Sequence, residues 1–321
     1  MTPETLDDTP VRPETPLRGP DKVFRQLATA AAGVSFVIVG LTIFFLVDGS
    51  RAAFRSTGII NFFTRSVWQP SIGKFGAFGL LIGTIIIATI ALIVAIPLAV
   101  AMALFINEYA PRVIRRPMTS IIDLLAALPS LLFGMWGKFA LQDRMVPVAK
   151  WLSQHLSFLI FFRLTRPGVS LVESSMIAGF VVGIMIVPII TSVSRDVMAQ
   201  VPREQCEGAL ALGGTRWGMI RSVILPFGRS GIVGATLLGF GRALGETIAV
   251  TLILASPVVK SNIHVLQAGA GTIAAQIADE FGTASTLERS ALVAAGLALF
   301  LLTLVVNLAA RSIVKRSSRL A

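Results

Sequence analysis

The chain has 321 residues, 54% hydrophobic and 14% charged, with a mean hydropathy of +0.79. A soluble domain carries about 25% charged residues, so much of this surface faces something other than water and an ordinary water-soluble domain is excluded. One cysteine, Cys206, excludes a disulfide framework and a cysteine-rich metal site. The net charge of +11 reads as basic residues in the loops of a membrane protein. A nucleic-acid surface fits it poorly, because no dense Lys/Arg run or aromatic-interleaved basic patch occurs.

Residues 1–26 are polar and proline-rich and are expected to be a disordered tail. They lack the charged, apolar and cleavage regions of a secretory signal in that order. A spanning helix takes about 20 mostly apolar residues. The stretch 28–46 holds no charge and predicts the first span. The stretch 75–107 holds none either and predicts a second, long or tilted, with Pro97 as a kink. The third, about 117–141, contains Asp123, Pro129 and Lys138. The fourth, 174–193, contains Pro188; the fifth, 229–256, contains Arg242 and Glu246; the sixth is 290–310. The run 157–162 is too short to span and reads as an interfacial or loop segment.

The expected architecture is all-α: a polytopic membrane protein of about six transmembrane helices, with 27–314 as its transmembrane domain and 315–321 as a short tail. With both termini cytoplasmic, inside segments carry 16 Lys and Arg against 11 outside, which favours that orientation. His155 and His264 fall in outside loops, where no metal role is expected. No Ser/His/Asp constellation emerges, so an enzyme is not expected. No G-x-x-x-x-G-K-[ST] loop is present to cradle phosphates.

The segment 195–227, between the fourth and fifth spans, reads as helix, turn, helix. Pro202 fits a first helical turn, Gly213-Gly214 a stop and Thr215 a cap for a second helix running to Leu225. Glu207, Gly208, Ala209, Gly213, Leu225 and Pro226 are spaced as in the EAA loop of ABC-importer permeases, which this segment resembles. Gly208 in place of Ala and Val223 in place of Ile are the two departures. The resemblance implies a cytoplasmic surface that couples the chain to an ATPase subunit, and a fold like that of type I ABC-importer permeases.

Within the fifth span, Arg242 lies 13 residues beyond Arg229, roughly 20 Å into the membrane. A charge there costs about 2.5–3.5 kcal/mol and usually faces a pathway or a partner. Arg242 and Glu246 stand at i and i+4, so they share a face and can pair. One reading is a buried ion pair that fixes packing. The other is a polar station on a substrate path, where the guanidinium attracts an oxyanion and Glu246 tethers it or accepts a substrate hydroxyl. Gly239, Gly241 and Gly245 admit close approach of a helix or a ligand.

The stretch from Gly239 to Thr247 resembles the Pst-type phosphate-importer permeases, and most of all their PstC-like branch. So do the run from Asp123 to Ser130 with Gly134 and Trp136-Gly137, Pro188, and the junction from Leu225 to Gly231. The resemblance implies a bacterial cell-membrane permease that moves inorganic phosphate across the lipid bilayer. Its implied partners are a second, PstA-like permease, two PstB-like ATPase subunits and an extracytoplasmic PstS-like phosphate-binding protein. It implies no cofactor in this chain, with ATP and Mg on the partner subunits. A permease for another oxyanion such as sulfate or molybdate, or a secondary transporter working without an ATPase, is the alternative.

Overall fold

The computed structural model describes residues 19–166, 168–254 and 263–317, with side chains to 309 and at 312 in the last stretch. It forms two compact units, Met1–Asp48 and Gly49–Ala321. The division falls inside 27–314, which reads as one stretch in the sequence. Of the expected tails, 1–18 and 318–321 lie outside the described residues. Residues 19–26 and 315–317 belong to helices.

The first unit is described as helix α1 (Gly19–Gly49). Pro20 and Asp21 sit in its first turn, where a missing N–H costs nothing and a carboxylate meets the positive end of the helix dipole. The hydroxyls of Thr29, Ser35 and Thr42 donate to the carbonyls of Arg25, Ala31 and Ile38 at 2.8–3.0 Å. Such bonds satisfy hydroxyls where lipid offers no partner.

The second unit is helical throughout, with no strand among the described residues. Two short helices, α2 (Arg51–Thr57) and α3 (Ile59–Thr64), lead into α4 (Phe78–Leu104), which ends in a π turn at Phe105–Tyr109. Then come α5 (Arg112–Ala127), α6 (Ser130–Trp136) with a π turn at Gly137–Leu141, α7 (Gln142–His155) and α8 (Ser175–Met198). After α9 (Arg203–Ala211), α10 (Arg216–Met219) passes through a π turn at Ile220–Ile224 into α11 (Leu225–Leu244). The chain closes with α12 (Ile248–Leu254), α13 (Ile273–Glu280) and α14 (Thr286–Ser317). Among the described residues, five helices are long and apolar enough to cross a membrane, or six if the bent pair from Arg112 to His155 is one span.

The α4–α8 pair is the centre of the unit. Ala91, Ala95 and Ala99 recur every fourth residue on α4 and are fully buried. Opposite them, a methyl on Gly183 would stand 3.0 Å from the Ala91 carbonyl, and one on Gly179 2.6 Å from Ile90 Cβ. Small residues let two backbones approach where lipid supplies no hydrophobic drive, and close packing then holds the pair. α11 joins α8 by the same device, since Gly239 lies against Ile190 and Ile186.

Two further clusters define the ends. Phe75, Ala77 and Leu80 at the start of α4 pack with Ala291, Leu292 and Ala295 at the start of α14. At the opposite end, Ala103 of α4 and Met198 of α8 pack with Met219, Ile220 and Ile224 leading into α11. Helices α11 and α14 therefore run antiparallel.

Three sequence expectations need correction. The third span is not one helix over 117–141: the α5 segment and the segment from Ser130 to His155 meet at 90°. Pro129 has no N–H and forces Leu128 into extended backbone (ψ 136°). The fifth span is not continuous over 229–256, because α11 stops at Leu244 and α12 begins at Ile248; its expected end at 255 and 256 lies outside the described residues. Nor does the helix after Thr215 end before Pro226. The preceding π turn widens the helix, and Pro226, whose missing N–H would break regular bonding, falls in the first turn of α11.

Candidate functional site

Two places in the second unit carry the residues singled out by the sequence. The first is a cavity of about 760 Å³ between α8, α11 and α14. Ile189 lines it from α8, Gly234, Leu238, Gly241 and Arg242 from α11, and Asn307 from α14. Ile189 lies 14 residues from the start of α8, about 21 Å along the helix, so the cavity sits within the apolar thickness of roughly 30 Å. A Cβ on Gly234 or Gly241 would meet nothing within 4 Å. These two glycines open the wall, whereas Gly239, between them in the chain, serves helix contact.

Arg242 is exposed in this cavity and has no hydrogen bond or ion pair with another described residue. The expected pairing with Glu246 is not formed, because the helix breaks between them. Gly245 ends α11, its N–H bonding the Gly241 carbonyl at 3.3 Å, and α12 starts afresh three residues later. Glu246 is 8% exposed, and its Oε1 accepts the Ala249 N–H at 3.3 Å. The Thr251 N–H bonds the Thr247 carbonyl at 2.9 Å, the first bond of the new helix. Glu246 thus satisfies one of the N–H groups that a helix start leaves without a partner. On its far side α12 receives α6, where a methyl on Gly134 would stand 2.8 Å from Ala249 Cα.

This geometry gives Glu246 a role that the sequence did not offer, that of a helix cap, in place of the ion pair and beside the pathway group. If Glu246 acts as a cap, Glu246→Gln keeps an acceptor oxygen in place and leaves stability and transport near wild type. Glu246→Leu leaves the Ala249 N–H buried without a partner and costs about 1–2 kcal/mol. Thermal unfolding in detergent, run beside an uptake assay, distinguishes the two. Loss of transport in a stable Glu246→Gln protein would return the carboxylate to the pathway.

The second place is the α9–α10 segment. Pro202 precedes α9, Gly213 turns the chain at φ +82°, and Thr215 Oγ1 accepts the Gly218 N–H at 3.1 Å to start α10. A Cβ on Gly214 would lie 2.5 Å from the Ala209 carbonyl, so the turn requires both glycines. Ala209 and Leu225 pack inward against the cluster at this end. Glu207, Gly208, Gly213 and Pro226 are exposed, as are Leu212 (91%) and Trp217 (58%). A Cβ on Gly208 would meet nothing within the chain, so its small size answers to no contact inside this unit.

Hydrogen bonds tie the π turn that ends α4 both to α8 and to this segment. Asn107 Nδ2 donates to the Arg195 carbonyl at 2.8 Å, and Arg216 Nη1 to the Glu108 carbonyl at 3.3 Å. Between them, burial and then the Glu108 and Glu207 carboxylates push the Cys206 thiol above its usual range. Cys206 therefore stays an uncharged thiol at neutral pH.

Sequence reasoning missed Asn307. A lone amide in the run Leu304-Val305-Val306-Asn307-Leu308 was the available signal, since a polar side chain inside a span is costly.

A family model described as binding-protein-dependent transport system inner membrane component matches residues 95–319. The phosphate transport system permease protein PstC 2 of Mycobacterium tuberculosis is 41% identical over 304 residues, covering 93% of each chain. The phosphate transport system permease protein PstC of Xylella fastidiosa is 39% identical over 302 residues, covering 93% of this chain and 92% of its own. Among solved structures, a bacterial ABC transporter involved in the import of the acidic polysaccharide alginate superposes with a TM-score of 0.57. At 18% identity, over 92% of this chain and 99% of that one, the likeness is one of fold.

Proposed function

The chain belongs to the binding-protein-dependent transport system inner membrane components, within the PstC permeases, and we infer from this membership that it is the permease subunit of an ATP-driven importer of inorganic phosphate. The observation that carries the reading is near-full-length similarity to PstC permeases together with Arg242 exposed in a cavity at membrane depth. A guanidinium is always charged and donates in a fork that matches an oxyanion. It is stable at that depth only where water, substrate or a partner reaches it.

In this reading the α9–α10 end is cytoplasmic, as are both termini. Glu207, Gly208, Ala209, Gly213, Leu225 and Pro226 build the coupling segment, with Leu212 and Trp217 as apolar contacts for an ATPase subunit. The partners are a PstA-like permease, two PstB-like ATPases that bind ATP and Mg, and a PstS-like protein that delivers phosphate from outside. Arg242 draws the anion into the pathway, and access alternates as the ATPases move the coupling segment.

Right-side-out vesicles loaded with ATP and supplied with the binding protein test import directly. Radiolabelled phosphate accumulates in them, and unlabelled sulfate in excess leaves that accumulation unchanged. A tagged chain brings a nucleotide-binding subunit through purification. Accumulation without ATP, or purification with no such subunit, would overturn the ABC reading; competition by sulfate would overturn the cargo.

A further inference from the structure

Arginine only donates hydrogen bonds. Arg242 by itself therefore attracts phosphate and sulfate alike, and nothing in a guanidinium reads the proton that hydrogen phosphate keeps and sulfate lacks. A discriminating pathway needs an acceptor beside the cation. Glu246 does not supply it, because its side chain is buried and its Oε1 holds the Ala249 N–H of α12.

The cavity that exposes Arg242 contains one other polar side chain among its lining residues, Asn307 of α14. Asn307 is exposed and has no hydrogen bond with another described residue. It therefore does not serve as helix-to-helix glue within this chain, the commonest use of an amide in a span. Its amide combines a donor, Nδ2, with an acceptor, Oδ1. It adds no negative charge to repel the incoming anion, as a carboxylate would.

We propose that Asn307 is the second anion-contacting residue of the pathway and a determinant of specificity. Nδ2 donates to a phosphate oxygen beside Arg242, and Oδ1 accepts the P–O–H hydrogen. The remaining lining residues, Ile189, Leu237 and Leu238 with Gly234 and Gly241, leave the rest of the wall apolar. A site that hydrogen-bonds a substrate hydroxyl rejects an analogue lacking it, because the site's own polar group is then left unpaired. The proposal rests on the phosphate-importer reading and names the group that selects within it.

The test uses the assembled transporter in membranes, with Cys206→Ser as background and Leu238→Cys as a reporter in the cavity wall. A charged thiol reagent labels the reporter, with inorganic phosphate or sulfate as protectant. With Asn307 present, phosphate protects at lower concentration than sulfate. In Asn307→Leu, the half-protecting phosphate concentration rises about tenfold, the value of one hydrogen bond of ordinary strength, and approaches that of sulfate. Asn307→Gln, which keeps the amide in an open cavity, recovers most of the difference. A half-protecting concentration unchanged in Asn307→Leu overturns the proposal, as does the absence of any phosphate protection while the parent transporter takes up phosphate. Failure of the parent to take up phosphate at all would instead fault the cargo reading.

Discussion

Arg242→Gln is expected to lower phosphate uptake about 10- to 100-fold while the transporter assembles normally. The size follows from replacing a charge-assisted donor pair by a neutral amide, a loss of about 1.5–3 kcal/mol. The second half of the expectation follows from what Arg242 does not touch. It has no ion pair or hydrogen bond with another described residue, so its loss leaves no buried partner uncompensated. Had it been locked to Glu246, removing one member would have cost about 3–5 kcal/mol of stability. Uptake by whole cells, with the amount of co-purified complex as the control, separates these cases. Arg242→Lys keeps the charge but not the fork, and retains part of the activity. Normal uptake by Arg242→Gln would remove the residue from the pathway, and loss of assembly would make it structural.

Gly83→Val is expected to have the largest effect on folding. A Cβ at Gly83 would overlap the Gly271 carbonyl oxygen and stand 3.2 Å from its carbon. The obstacle is backbone, so no rotamer change relieves it. Close by, the Ile273 N–H bonds Thr84 Oγ1 at 3.1 Å, and that hydroxyl donates to the Leu80 carbonyl at 2.7 Å. A forced separation of α4 from the chain ahead of α13 would leave the buried Ile273 N–H unsatisfied as well. Overpacking costs about 1–3 kcal/mol, and an orphaned N–H adds about 1–3 kcal/mol. Yield of folded protein in detergent should therefore collapse in Gly83→Val and fall measurably in Gly83→Ala. Gly234→Ala, facing open space, serves as the stability control. Full yield of Gly83→Val would mean that α4 and residues 271–273 are not in contact.

Both expectations depend on contacts between segments far apart in the chain, and this marks the limit of what was readable beforehand. The membrane character and the first, second, fourth and sixth spans were legible, because about 20 uncharged residues in a row have no other economical solution in water or lipid. The turn at Gly213 and the cap at Thr215 were legible too, since both are local: a left-handed backbone wants glycine, and a hydroxyl two or three residues before an N–H finds it. The spacing from Glu207 to Pro226 was sufficient to place the chain in its family. The role of Pro226 was not readable, because whether a proline ends a helix or is absorbed by a π turn depends on packing around it.

The breaks at Leu128-Pro129 and Gly245 were hidden for a related reason. In an apolar span the hydrophobic pattern is nearly uniform, so periodicity does not register a change of direction. Each break is decided by what satisfies the freed backbone groups and covers the turn: the Glu246 carboxylate for α12, and Gly134 of α6 seated on Ala249. The sequence by itself determined a helical membrane permease with a charged arginine deep in its fifth span. Tertiary structure alone decided that Glu246 turns inward to hold a helix start while Arg242 faces a cavity with Asn307. Those assignments follow from the meeting of α8, α11 and α14 and from the backbone's demand for hydrogen bonds in a medium that supplies none.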